Sequence, residues 1–165
     1  MQNFLSFKRI NLFGSLLAFI LVGLAVTIQA QFNLEPCPLC VTQRIVFIII
    51  GCLFLFFSFF NPNQLIRFIH LTILLIANIV GIIFAIKHIL IQSKWITVPT
   101  ECGIDLDYMF ENFPLTKAFS LLFKGAGDCS EIDWSFLGIT LPQLALIAYI
   151  MFGILTFYIY KKINK

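Results

Sequence analysis

Five cysteines are the most reactive side chains in this chain of 165 residues. Cys37 and Cys40 bracket a Cys-Pro-Leu-Cys motif, which lies where one membrane-length apolar run gives way to another. A disulfide between such close neighbours constrains little of an unfolded chain, so a purely structural role explains the motif poorly. Two more cysteines, Cys102 and Cys129, lie in the one long polar loop. The pattern indicates thiol–disulfide exchange at a membrane surface.

The residues around Cys40 favour its reactive form. If a helix begins near Leu39, Cys40 lies in the first turn, where unpaired backbone N–H groups and the helix dipole favour an anion. Arg44 follows four residues later and projects from the same face one turn deeper. Both effects favour the thiolate, which is the form that attacks disulfides. The alternative role for Arg44 is snorkelling to the lipid headgroups.

Metal binding is the main alternative for the Cys-X-X-Cys motif, which could be half of a zinc site. A second motif with matching spacing does not occur in the sequence, so we predict no metal site. His88 lies where the third apolar run ends, level with Cys40 and Arg44 in an antiparallel arrangement. Its imidazole could hydrogen-bond a carbonyl ligand, although such a histidine often only caps a helix or snorkels.

The apolar composition requires lipid as the solvent. Sixty per cent of the residues are hydrophobic, only 12% are charged and 20 are Phe, which is more apolar surface than a soluble core of this length can bury. Four runs reach the roughly 20 residues needed to cross a bilayer, at about 10–30, 41–60, 67–87 and 141–160. We therefore predict an all-α membrane protein, a four-transmembrane-helix bundle that forms a single membrane domain over 1–165.

Charge distribution predicts the orientation of these helices. Six basic residues that flank the spans fall on one side: Lys8, Arg9, Arg67, Lys161, Lys162 and Lys165. The acidic residues fall on the other: Glu35, Glu101, Asp105, Asp107, Glu111, Asp128, Glu131 and Asp133. Positive-inside logic puts both termini in the cytoplasm and the cysteine loops, about 31–39 and 92–140, outside it, where disulfides are permitted. A cleaved signal peptide over the first run is a weaker alternative, because the run exceeds the usual length.

The long loop contains a second apolar pattern. One face of a short helix would carry five apolar side chains, from Leu115, Ala118, Phe119, Leu122 and Phe123. Pro114 stands at the position favoured for a first-turn proline. We expect this short amphipathic helix in the second external loop to lie in the headgroup layer, and packing against the bundle is the alternative.

Taken together, these motifs resemble the bacterial inner-membrane disulfide bond formation protein B (DsbB) family. The resemblance rests on the Cys-Pro-Leu-Cys motif with Arg44 four positions later and on the run Gly-Asp-Cys-Ser-Glu around Cys129. It continues through Trp134, the Phe-Leu-Gly that follows and the Leu-Pro-Gln at the start of the last apolar run. It covers essentially the whole chain, with four crossings and two external loops.

The resemblance implies a protein-dithiol:quinone oxidoreductase that makes disulfides de novo by passing electrons from a periplasmic dithiol oxidase, DsbA, to a membrane quinone. Carried over, Cys102 is the sulfur that forms the mixed disulfide with DsbA. Cys129 is its partner and exchanges with Cys37. The residues around Cys102 match the family less well than those around Cys129, which leaves the partner's identity less secure than the chemistry.

At the quinone end, the resemblance implies that Cys40 contacts the quinone ring, with Arg44 beside it. His88 matches a family histidine next to the quinone. The sequence does not distinguish ubiquinone from menaquinone. It also leaves the resting disulfide connectivity open, because four cysteines allow three pairings.

Two other functions stay possible on sequence grounds. The chain could be a related membrane thiol oxidoreductase that serves a dedicated client instead of DsbA. It could also be a non-catalytic four-span scaffold whose loop disulfide is only structural. Neither alternative accounts for Arg44 one helical turn from Cys40.

Overall fold

Four long helices make up most of the computed structural model, which describes residues 2–34, 37–59, 63–96, 129, 134–136 and 138–163. They are α1 (Gln2–Phe32), α2 (Pro38–Phe59), α3 (Gln64–Gln92) and α4 (Leu141–Ile163). All four are long and apolar enough to cross a membrane, which confirms the predicted four-helix membrane bundle. Cys102 and the expected amphipathic helix over 115–123 lie outside the described residues.

The helix boundaries differ from the apolar runs at the ends that matter for the site. Helix α2 begins at Pro38, three residues before the predicted run, so Cys40 lies inside its first turn. Helix α3 continues past residue 87 to Gln92, so His88 lies within the helix. The length of an apolar run predicts the segment that crosses the membrane. The helix itself extends further, because its backbone hydrogen bonds continue into the polar layer.

Close helix packing depends on small side chains. Helix α1 packs mainly on α2, α2 on α3, and α3 on α4. Gly14 of α1 faces the ring of Phe54, and Gly51 of α2 faces Phe19 and Ala18. In lipid, where burial of apolar surface gives helices little drive to associate, such close contacts supply much of the packing energy.

An aromatic contact joins α2 and α4 near the centre of the bundle. The rings of Phe47 and Tyr149 stack with centroids 4.1 Å apart and planes 6° apart. The hydroxyl of Tyr149 donates to the backbone carbonyl of Gln43 at 2.8 Å. Gly81 of α3 leaves the space that this ring fills, since a Cβ there would overlap the ring of Tyr149. Tyr149 thus holds α2, α3 and α4 at fixed separations.

A short antiparallel hairpin leads into α4. Its strands are β1 (Ser135–Phe136) and β2 (Ile139–Thr140), and Gly138 between them has a φ of +82°, which glycine adopts at little cost. Gln143 in the first turn of α4 accepts from the backbone N–H of Thr140 at 3.0 Å. This contact is the reciprocal half of a capping box, and it anchors the end of the long loop on the helix. The sequence patterns above did not predict these strands.

Replacing Gly81 by Ala tests the central contact. The added methyl would meet a ring held by stacking on Phe47 and by its hydroxyl, so we expect a destabilisation of about 1–3 kcal/mol, the usual range for overpacking. The thermal unfolding midpoint of the detergent-solubilised protein measures it. Gly153→Ala is the matched control, because nothing lies near a Cβ there. Equal midpoints for the two variants would contradict this account of Tyr149.

Candidate active site

Cys37 lies at the amino-terminal end of α2 and caps that helix. Pro38 takes the first helical position, where its missing N–H costs nothing. The backbone N–H of Val41 donates to the carbonyl of Cys37 at 3.2 Å, and that of Cys40 donates to the sulfur of Cys37 at 3.3 Å. A side chain that accepts from the third residue of a helix is the arrangement of an N-cap, here made by sulfur.

Two other sulfurs lie close to Cys37. Its Sγ is 2.8 Å from the Sγ of Cys40, and the Sγ of Cys129 lies within 4.8 Å of it. Cys37 and Cys129 are buried at 5% and 0% exposure, whereas Cys40 is half-buried. Leu39 and Ile91 pack around the group and exclude solvent. Thiol–disulfide exchange proceeds by one sulfur attacking another, so Cys37 is placed to exchange with either neighbour.

His88 of α3 closes the site from the opposite side. Its Nε2 is 3.7 Å from the Sγ of Cys37, and its Nδ1 is 3.5 Å from the side-chain nitrogen of Gln43. The ring is 2% exposed, so it lies inside the bundle. The antiparallel topology predicted that His88 lies at the same depth in the membrane as Cys40. The structure adds that the ring contacts the sulfur of Cys37 and the side-chain amide of Gln43. Its predicted contact with a quinone stays a prediction.

Arg44 has a partner that the sequence patterns did not reveal. Its guanidinium donates to the side-chain oxygen of Gln29, in the last turns of α1. Arg44 is half-buried, one helical turn beyond Cys40. The hydrogen bond fixes the cation at the junction of α1 and α2, close to the end of the span. A polar residue near the end of an apolar run was the only available signal for Gln29.

The structure brings together four of the six predicted site residues. These residues are Cys37, Cys40, Cys129 and His88, and Arg44 lies one turn along α2. Gln43 is, after Gln29, the second residue that sequence reasoning missed, although it is a polar side chain inside an apolar run, 5% exposed. Cys52 lies exposed on the outer face of α2, away from the sulfurs of Cys37, Cys40 and Cys129.

The surroundings of Cys37 hold it in the protonated form. Hydrogen bonding with Cys129, then hydrogen bonding with Cys40, then burial raise the pKa of the Cys37 thiol well above its ordinary value of 9.0. The N–H of Cys40 acts in the opposite sense, since a donor favours the thiolate, but it is one neutral donor against two neighbouring sulfurs. Cys37 therefore suits the role of a sulfur that is attacked in a disulfide better than that of an attacking thiolate.

This fold and these sulfurs define a membrane thiol–disulfide oxidoreductase. The family model for "Disulfide bond formation protein DsbB" matches residues 7–159. The chain belongs to that family and is a multi-pass, disulfide-forming membrane oxidoreductase.

Curated relatives agree with this assignment. Disulfide bond formation protein B of Methylobacillus flagellatus is 46% identical over 89% of this chain and 89% of its own. The protein of the same name from Nitrosococcus oceani is 34% identical over 92% of this chain and 90% of its own. That from Methylococcus capsulatus is 37% identical over 86% and 87%. No solved structure matches the chain significantly.

The pH dependence of Cys37 alkylation tests the raised pKa. In the reduced protein, with a chelator present, we expect the alkylation rate of Cys37 to reach half its maximum above pH 9.0, because only the thiolate reacts. Cys129→Ala removes the largest cause of the shift, so the midpoint should fall. Mass spectrometry of the labelled peptide measures it at each pH.

Cys52→Ala is the control for this experiment, since that sulfur lies roughly 22 Å further along α2 at 1.5 Å per residue. The midpoint should not change in this variant. The three sulfurs do not interact as described if the alkylation midpoint of Cys37 lies below pH 9.0 and stays unchanged in Cys129→Ala.

Proposed function

We propose that the protein reoxidises a periplasmic DsbA-type thiol oxidase and passes the electrons to a membrane quinone, either ubiquinone or menaquinone. DsbA is a strong oxidant because its reduced form is stabilised, so reoxidising it by ordinary exchange is unfavourable. Reduction of a quinone supplies the missing driving force. The observation that carries the proposal is the position of Cys37 between the sulfurs of Cys40 and Cys129.

In the proposed reaction, the protein starts with Cys102–Cys129 and Cys37–Cys40 disulfides. A thiolate of the partner attacks Cys102 to form the mixed disulfide, and the Cys102–Cys129 bond breaks to release Cys129 as a thiolate. That thiolate attacks Cys37, forming the Cys129–Cys37 bond as the Cys37–Cys40 bond breaks. Cys40 leaves as a thiolate and holds the electron pair. The second thiol of the partner resolves the mixed disulfide, so the partner loses two electrons and two protons in all.

The quinone end of the site is formed by Cys40 and Arg44 in this proposal. Attack of the Cys102 thiolate on Cys129 re-forms the Cys102–Cys129 disulfide and frees Cys37. Re-formation of the Cys37–Cys40 disulfide would then supply two electrons to the quinone, which also takes up two protons. Cys40 is suited to meet it because its side chain is only half-buried, whereas Cys37 is enclosed. Arg44, held by Gln29, supplies a fixed positive charge for the negative charge that develops on the ring. His88 would have to turn its Nε2 away from Cys37 to bind a quinone oxygen.

The proposed location follows from the charges that flank the spans. We place the chain in the bacterial inner membrane with both termini in the cytoplasm and the two cysteine loops in the periplasm. The site then faces an oxidising compartment and a soluble dithiol partner, while its other side meets lipid-dissolved quinone.

Arg44→Ala tests the quinone end. Loss of the cation should slow quinone reduction on the order of 100-fold, as removal of one charge-stabilising donor does elsewhere. Formation of the mixed disulfide between Cys102 and reduced DsbA should remain. The measurement is anaerobic mixing of purified protein, reduced DsbA and a soluble quinone analogue, followed by quinone absorbance.

Two further variants sharpen this test. Gln29→Leu frees the guanidinium without removing its charge, so we expect a smaller slowing. Arg67→Ala is the matched control, because that arginine lies at the other end of the bundle, 5.0 Å from the ring of Phe7. Quinone kinetics in Arg44→Ala equal to those in Arg67→Ala would refute the proposed role, and a wild-type protein that leaves the quinone unreduced would refute the function.

Single cysteines at two asparagines test the orientation. In a variant without its five native cysteines, Asn33→Cys after α1 should react with an impermeant maleimide added to spheroplasts. Asn63→Cys before α3 should react only after lysis. Both side chains are exposed, so access depends on the side of the membrane. The reverse labelling pattern would contradict the proposed topology.

A further inference from the structure

The group of Cys37, Cys129 and His88 has the composition of a soft-metal site. Both Sγ atoms and a ring nitrogen of His88 lie within 4.8 Å of one another, and all three side chains are buried. The Sγ of Cys40 is 2.8 Å from that of Cys37. Two sulfurs and one imidazole thus surround one point, and the sulfur of Cys40 adjoins that of Cys37. The second half of a zinc site, absent as a sequence motif, is supplied by Cys129 and by His88 of α3.

The distances fit such an ion after a small adjustment. Zinc binds sulfur at ~2.3 Å and imidazole nitrogen at ~2.0–2.1 Å, which puts tetrahedral ligands roughly 3.5–3.8 Å apart. Cys37 and His88 already have this spacing, at 3.7 Å. The sulfur of Cys129 needs to move inward by roughly 1 Å at most to reach the same separation. The sulfur of Cys40, 2.8 Å from that of Cys37, needs to move outward by roughly 1 Å.

The outer contacts of the group are also those of a metal site. A histidine that binds a metal through one ring nitrogen usually hydrogen-bonds through the other. Here Gln43 lies 3.5 Å from Nδ1, and an amide can offer either its oxygen or its nitrogen to the ring. The Tyr149 hydroxyl donates to the backbone carbonyl of Gln43, so the part of α2 that carries this amide is held in place.

We propose that the fully reduced protein binds one Zn²⁺ through Cys37, Cys129 and His88, with Cys40 as the fourth ligand. Zinc displaces one proton from each of the three thiols, and no electrons are transferred. A disulfide that includes Cys37 withdraws two of the three sulfurs, so only the dithiol state binds the ion. Bound zinc keeps those sulfurs from forming disulfides and thereby inhibits turnover reversibly.

Cobalt binding to the full-length protein in detergent tests the proposal. Co²⁺ replaces Zn²⁺ in thiolate sites and gives a sulfur-to-metal absorption band. Under anaerobic conditions, the reduced protein should bind one Co²⁺ per chain, and Zn²⁺ should displace it. Protein with its disulfides formed should give no band.

Matched variants locate the ligands. His88→Ala and Cys129→Ala should each weaken Co²⁺ binding at least tenfold. His70→Ala, on the same helix, and Cys52→Ala should bind as the unaltered protein does. Cys102→Ala should also keep the band, because Cys102 is not among the proposed ligands.

Three results would overturn the proposal. They are absence of Co²⁺ binding, equal binding by the disulfide form, and binding unaffected by both His88→Ala and Cys129→Ala. The last would leave only the Cys37–Cys40 dithiol as the ligand. Because binding is measured without quinone or DsbA, failure of the metal site and failure of the proposed electron transfer are separate outcomes.

Discussion

The backbone N–H of Cys40 donates to the sulfur of Cys37, and the arrangement of the site depends on this hydrogen bond. The first N–H groups of a helix have no partner within the helix, and at the edge of a bilayer they must find one. Pro38 has no N–H to satisfy, and Cys37 supplies an acceptor for the third residue. The sulfur of Cys37 is therefore part of the helix end itself, and its position follows from the start of α2.

From that sulfur, a chain of contacts runs through the bundle. Cys37 meets His88 of α3, His88 meets Gln43 of α2, and the Gln43 carbonyl accepts from Tyr149 of α4. Gly81 then lets the ring of Tyr149 rest against α3. The first two links join α2 to α3, the third joins α2 to α4, and the last joins α3 to α4, so a shift of one helix would move the imidazole relative to the sulfur. Packing in the middle of the membrane thus sets the geometry at its surface.

The two histidines show what the sequence could and could not predict. His70 and His88 are 18 residues apart, which is five turns, so both lie on the same face of α3 and both are buried. Helical periodicity alone therefore predicts that the two histidines share a face. Around His70, however, α2 presents the rings of Phe54 and Phe57, the latter stacked at 3.7 Å, whereas His88 meets a sulfur and an amide. The difference depends on how α2 is rotated against α3, which hydropathy does not encode.

The same limit applies to the glutamines and to Cys129. Apolar length predicted the four helices, and the motif spacing predicted Cys37 and Cys40 as a pair. The partners of Arg44 and His88 could not be predicted, because Gln29 and Gln43 meet them only through contacts between helices. Likewise, Cys129 lies beside Cys37 at the start of α2, and no local pattern in the sequence specifies that contact.

Sulfurs arranged for exchange are also arranged for a metal ion. Transfer of a disulfide from one pair of cysteines to another needs a third sulfur within reach, and a thiophilic cation needs the same approach of the same atoms. What separates the two outcomes is oxidation, since each disulfide formed at Cys37 removes ligands that zinc requires. An electron acceptor that keeps Cys37 in disulfides would therefore also keep the site free of metal. The proposed quinone reduction and the proposed metal binding would then compete for the same two sulfurs, those of Cys37 and Cys40.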